Sequence, residues 1–271
     1  MIKSFFHNLN FHKVNYLLIS GQAAVLYGAA TFSEDIDIWV SPEIENWRNF
    51  LELLKKSGAK IYKLTPPLTE KYIKKGHGFH FEFPPDDRKM TWFLDVMGIV
   101  PRIKSFSKAS ESVNFYKTPW GTIPVIGLKD LAELKKTRRL QDYAIISNLA
   151  RIEYEKLSNT TISAGDWSWI LSNSFDIEDI LYYLKNHEKA VRVCKTLNRK
   201  CLRYCLEIIK DPDKERKYFS LASETLALEI EELRQKDRDY WREIIKELKE
   251  SGKKGELLKR TTLQETGDVA Q

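Results

Sequence analysis

The chain has 271 residues, 42% apolar and 30% charged, proportions of an ordinary globular protein that exclude wholesale disorder. That length supports one large domain or two modest ones. The formal net charge of +6 favours anionic partners such as nucleotides or RNA without selecting one.

At the N-terminus, Met1 to His7 lacks a long apolar core and a small-residue cleavage site, so no signal peptide is expected. Residues 14–19 form a short β-rich run that stops at Ser20-Gly21, and residues 22–30, rich in Ala and Leu, read as a helix. Asp35 to Val40 alternates polar and apolar, the period of a strand with one wet face. A helix follows, with Ser41 as its cap, Pro42 in its first turn and Gly58 at its end. Ile44, Trp47, Leu51 and Leu54 give it one buried stripe. Further strands are expected around residues 79–83, 91–96, 113–116 and 123–126, with a turn at Pro84-Pro85-Asp86-Asp87. Residues 128–149 return to helix in two pieces. Mixed elements with short connections predict an α/β or α+β domain over residues 1–156, and α+β is the class expected.

The polar Ser158-Asn159-Thr160-Thr161 reads as a linker, and residues 157–250 as an all-α domain. Cys194, Leu197, Cys201, Tyr204 and Ile208 share one face there. The three cysteines form no CxxC pair and are expected as small buried residues, which fits a reducing cytoplasm. Arg192, Lys195, Arg199 and Arg203 recur opposite them, as the wet side of a helix or a grip for an RNA backbone. Trp167, Trp169, Tyr182 and Tyr183 are expected to pack between helices. Residues 251–271 hold few apolar side chains and are expected to fray. No run is long and apolar enough for a membrane helix.

Chemistry concentrates in the first half. Asp35 and Asp37 share one strand face while Ile36, Ile38 and Val40 turn to the core. Side-by-side carboxylates repel unless a cation lies between them, and magnesium takes oxygen ligands while keeping water for phosphates to replace. The strand–Ser20-Gly21–helix turn offers backbone N–H groups to a phosphate, with a glycine that admits close approach. Asp95 stands alone in the hydrophobic run Trp92 to Met97, where a carboxylate needs a partner or a metal. Lys135, Lys136, Arg138 and Arg139 concentrate cations that suit a triphosphate. His77 and His80, flanking Gly-Phe, read as surface or packing histidines without zinc spacing, with His80 also a candidate to lie near the site.

In this order, a hydrophobic strand, Gly21, Asp35-Ile36-Asp37 and a later Asp95, residues 14–149 resemble the DNA-polymerase-β-like nucleotidyltransferase superfamily. The segment from Asp130 through Lys135 to Asp142 is similar to a later motif of its abortive-infection toxin branch. The resemblance implies a polymerase-β-like catalytic domain followed by helices. It also implies two magnesium ions, or manganese, at Asp35, Asp37 and Asp95. Ser20, Gly21, Lys135, Arg138, Arg139 and Asp142 would hold the nucleoside triphosphate. The acceptor implied is RNA, tRNA in particular, and the toxin branch implies a cognate antitoxin protein as partner. Nucleotidylation of a protein or small molecule is the alternative, and a degenerate binding module a third. Two positions depart from the pattern. Ser20 stands for the first glycine and Thr31 for an arginine, a loss that Arg138 or Arg139 would compensate.

Overall fold

The computed structural model describes residues 2–85, 91–258 and Leu263. Asp86 and Asp87 of the expected turn lie outside the described residues. The chain forms two compact units, residues 1–134 with 240–271, and residues 135–239.

The first unit is α+β. It comprises α1 (Ile2–Phe11), β1 (Tyr16–Ile19), α2 (Ser20–Tyr27), β2 (Ile36–Val40), α3 (Ile44–Lys56), β3 (Lys60–Ile61), α4 (Glu70–Lys74), β4 (Gly78–Glu82), β5 (Phe93–Met97), α5 (Phe106–Ser110), β6 (Asn114–Thr118), β7 (Gly121–Val125) and α6 (Leu128–Leu134). One seven-stranded sheet runs β3-β4-β5-β2-β1-β7-β6. The β2/β5 and β1/β7 pairs are parallel and the others antiparallel.

Register sorts the side chains onto two faces. Tyr16, Leu18, Ile36, Ile38, Val40, Phe79, Phe81, Leu94 and Val96 line one face and are all buried. Helix α3 covers it: Trp47 meets Phe79 and Phe50 meets Phe81 edge-to-face, with ring centroids 5.3 and 6.4 Å apart. Helix α1 packs there too, through Phe6 against Tyr16 and Phe5 against Phe83. The opposite face carries Asp37, Asp95 and His80, which leaves it polar in the middle of the sheet.

Two local expectations change. The first turn of α3 begins after Glu43, not Ser41; the Ser41 hydroxyl instead donates to the Glu43 carboxylate. Helix α1 was not expected, although its Ile2, Phe5, Phe6 and Leu9 recur at helical spacing and Phe5, Phe6 and Leu9 are buried.

The second unit holds α7 (Gln141–Leu157), α8 (Ala164–Asn173), α9 (Ile177–Asn186), α10 (Glu188–Cys194), α11 (Lys200–Lys210) and the start of α12 (Glu215–Lys253). Residue 156, where the sequence pattern put a boundary, lies in the last turn of α7. Trp167 and Tyr183 are buried in the helical core and Tyr182 is exposed. All three cysteines are free and buried. Burial pushes the Cys194 thiol up to about 11 and the Cys205 thiol up to about 12, so neither is a nucleophile at neutral pH.

The basic stripe is not one helix face. It is split between α10 and α11, and Arg199 is turned inward. Its guanidinium bonds Glu229 at 2.9 Å and donates to the Leu171 and Ser174 carbonyls at 2.5 and 2.9 Å. Arg199 therefore ties helices together and cannot grip a backbone phosphate.

The C-terminal segment is also fastened where described. Leu258 pairs with Thr65, its N–H donating to the Thr65 carbonyl at 2.9 Å, and Leu263 is buried. Among the described residues no helix is long and apolar enough to cross a membrane.

Candidate active site

Strands β2 and β5 run parallel with Asp37 opposite Asp95 and their neighbours in step: Ile36 with Leu94, Ile38 with Val96. The flanking residues are buried, so both carboxylates emerge on the other face. Asp35, one residue before β2, follows the same alternation. Both Asp35 and Asp95 act electrostatically on Tyr62 and Lys63, which places the acids around one patch.

The turn expected to hold phosphate lies next to this patch. Ile19 pairs with Asp37 in the antiparallel β1/β2 ladder, so Ser20-Gly21 leaves β1 alongside the acids. Helix α2 begins at Ser20, and the N–H groups of its first turn have no partner within the helix. Ser20 has φ of 59°, a left-handed conformation that glycine adopts freely and serine at a cost.

Gly21 has a different reason from the one read in the sequence. A Cβ at this position would fall 2.1 Å from Ser33 Oγ and 2.8 Å from Ser33 Cβ. Glycine is required by the loop before Asp35, which packs on α2 and is held by Gln22 Nε2 donating to the Ser33 carbonyl at 2.8 Å. The close approach therefore positions the Asp35–Asp37 segment; it does not clear a path for phosphate at that Cβ.

Asp95 has a built environment. His80, its register partner on β4, places Nδ1 2.8 Å from Asp95 Oδ1, and Tyr62 Oη donates to the same oxygen at 3.3 Å. Burial raises the Asp95 pKa, but the His80 hydrogen bond, the His80 and Lys63 charges and the Tyr62 hydroxyl outweigh it and leave it lowered. Lys63 Nζ stands 4.7 Å from the Tyr62 ring centroid. Burial lowers the Lys63 pKa, yet its contact with Tyr62 and the charges of Asp95 and Asp35 raise it on balance. Asp95 is thus a carboxylate with one oxygen engaged by protein.

His80 takes the place near the site that the sequence left open beside a packing role, and Tyr62 and Lys63 gave no motif at all. His77, by contrast, is a packing histidine: it is buried and bonded to Glu247 at 2.9 Å.

The remaining predicted residues belong to the second unit. Lys135 Nζ lies 3.1 Å from Asp142 Oδ1 with both side chains almost fully buried. Asp142 Oδ2 accepts from Thr137 and from Arg139 Nε. Arg138 donates its backbone N–H to Asp237 at 3.0 Å and accepts from Arg234 through its carbonyl. The lysine and the aspartate singled out in the sequence are brought together, as partners of each other.

Among the described residues no three or more His, Cys, Asp or Glu side chains gather into a group that holds a metal ion. Asp35, Asp37 and Asp95 share a face without closing into a cage. Their carboxylate oxygens nevertheless suit magnesium, which is held by one or two carboxylates with water and phosphate oxygens completing its shell.

No protein-family model matches the chain. No curated protein matches it either. Among solved structures it is similar to an antigenic nucleotidyltransferase-like protein from Paracoccidioides brasiliensis, with 10% identity, a TM-score of 0.34, and coverage of 80% of this chain and 89% of that one. A likeness this distant argues for neither fold nor activity.

Proposed function

We propose that the protein is a nucleotidyltransferase that moves a nucleoside monophosphate from a triphosphate to an acceptor hydroxyl. The observation that carries this reading is the registered Asp37–Asp95 pair beside the Ser20-Gly21 turn. Two acids on adjacent central strands, next to a helix N-terminus, suit cation-assisted phosphate chemistry better than they suit stability.

In this reading Asp35, Asp37 and Asp95 would hold magnesium, or manganese, which would supply charge neutralisation to the triphosphate and to the developing oxyanions. The first-turn N–H groups of α2, with the Ser20 hydroxyl, orient the outer phosphates. Asp95 takes the acceptor proton through its less engaged oxygen, while His80 and Tyr62 fix its rotamer. The acceptor oxygen bonds to the α-phosphorus, the bond to the β-phosphate breaks, and pyrophosphate leaves with that electron pair.

The buried Lys135–Asp142 pair is assigned to the architecture of the second unit. RNA is the acceptor favoured by the net charge and by the toxin-branch resemblance. A toxin role with a cognate antitoxin partner rests on that resemblance alone.

The test is incubation with each labelled triphosphate and magnesium in the presence of total RNA, of protein, or of neither. Label transferred to RNA supports the reading. Label found only on protein moves the acceptor to the second class, and triphosphate binding without transfer to anything supports a degenerate module.

A further inference from the structure

An open cleft of the first unit lies beside Asp95. It encloses about 1050 Å³, and its walls include Tyr62, Lys63, His80, Leu248, Lys249 and Leu258. Two of these, Tyr62 and His80, are the residues that touch Asp95. No residue of the Ser20-Gly21 turn lines it.

The far wall is firmly built. The end of α12 is fixed by Glu247, which bonds Lys75 at 2.7 Å and His77 at 2.9 Å, and by Ser251, bonded to Tyr72 at 3.0 Å. The Leu258–Thr65 bridge closes the end of that wall onto the chain that follows β3. The cleft is therefore a standing feature of the unit, with leucine sides and two lysines at its surface.

Strand order then assigns the cleft's place in the reaction. Across the sheet, β1 carries the phosphate turn, β2 and β5 the acid pair, and β4 and β3 lead into the cleft. With strands about 4.8 Å apart, turn and cleft lie one to two strand spacings from the acids, on opposite sides. In-line displacement needs the entering oxygen and the leaving pyrophosphate on opposite sides of the phosphorus. A pyrophosphate at the turn leaves the cleft side for the acceptor.

Resting on the nucleotidyl-transfer reading, we propose that this cleft binds the 3′-terminal nucleotide of an RNA acceptor. Its base packs between Leu248 and Leu258, its phosphates meet Lys63 and Lys249, and its hydroxyl points to Asp95. The acceptor chemistry follows from the lining: an apolar slot with cations at the mouth fits a flat ring carrying phosphate. A seryl or tyrosyl hydroxyl on a protein brings no such anion.

The test separates acceptor from donor. Binding of a fluorescent oligoribonucleotide with a dideoxy 3′ end is measured by anisotropy, and binding of a fluorescent triphosphate with magnesium is measured separately. Leu248→Trp, which fills the slot, and Lys249→Gln are compared with the unaltered chain. Oligonucleotide affinity is expected to fall about tenfold in Leu248→Trp. In Lys249→Gln the slope of log affinity against log salt is expected to fall by about 0.7, the single-strand value for one lost phosphate contact. Triphosphate binding stays unchanged in both and reports that the fold is intact.

Unchanged oligonucleotide binding in both variants overturns the proposal, as does weakened triphosphate binding in place of weakened oligonucleotide binding. An unaltered chain that transfers no nucleotide, yet binds the oligonucleotide through the cleft, defeats the transferase reading and leaves the cleft standing. Transfer to protein alone, at an unaltered rate in Leu248→Trp, defeats the cleft and leaves the transferase.

Discussion

Asp37 and Asp95 stand opposite each other on parallel neighbouring strands at the centre of the sheet, with apolar register pairs on either side. Like charges so placed repel, and a cation bound between them relieves the repulsion only in the folded state. Magnesium is therefore expected to raise the melting temperature of the protein, by an amount that grows with the logarithm of its concentration. Asp37→Asn should abolish most of that shift. Scanning calorimetry with and without magnesium reads both, and an equal shift in the variant would place the cation elsewhere.

His80 sets the protonation of Asp95. Its hydrogen bond and charge are the leading influences that offset burial and hold the Asp95 pKa below the ordinary value of 3.8. In His80→Ala burial loses its main opponent, so the Asp95 pKa should rise. The sign for stability follows: a depressed carboxylate stabilises the fold above its unfolded pKa, and that contribution is lost as pH falls through the lower folded value. The contribution of Asp95 is complete at neutral pH and disappears in strong acid. Carbon-detected NMR titration of the Asp95 carboxyl in the two proteins checks the direction, and an unmoved or lower value in His80→Ala contradicts it.

Gly21 is required by contact with Ser33. Gly21→Ala should destabilise the protein by about 1–3 kcal/mol, the usual cost of overpacking a tight site. Adding Ser33→Gly removes both clashing atoms and should recover much of the loss. Urea denaturation of the single and double variants measures this, and no recovery would place the cause in the backbone of the turn.

The buried ion pair of Lys135 and Asp142 gives a different pattern. Removing the acid alone leaves a buried ammonium, at a cost of about 3–5 kcal/mol, whereas replacing both by apolar residues of similar volume is often close to neutral. Asp142→Leu should thus be far less stable than the double variant Lys135→Met/Asp142→Leu. If the double variant is as unstable as the single one, the pair is not the reason these residues are buried.

The α+β order of the first unit was legible because its elements obey simple periods: alternation over β2, a three-to-four stripe over α3, and an acid isolated in β5. The acids themselves were found by parity, since a strand puts Asp35 and Asp37 on one side whatever its neighbours are. Which strand lies beside β2 was not legible, because pairing joins residues 58 positions apart, as Asp37 and Asp95 are. The role of His80 was left open for the same reason: its partner lies on the next strand, and no spacing in its own strand announces it. Tyr62 and Lys63 follow a strand of only two residues, too short for any pattern. Arg199 was read as part of an exposed stripe because periodicity assumes one unbroken helix, and the chain breaks between α10 and α11.

The most direct measurement is nucleotide transfer by Asp37→Asn. With magnesium, labelled triphosphate and total RNA, the variant is expected to keep the circular dichroism spectrum of the unaltered chain. Its transfer rate should fall by on the order of a thousandfold. Transfer at the full rate in a folded Asp37→Asn protein would contradict the assignment of the acid pair as the reaction centre.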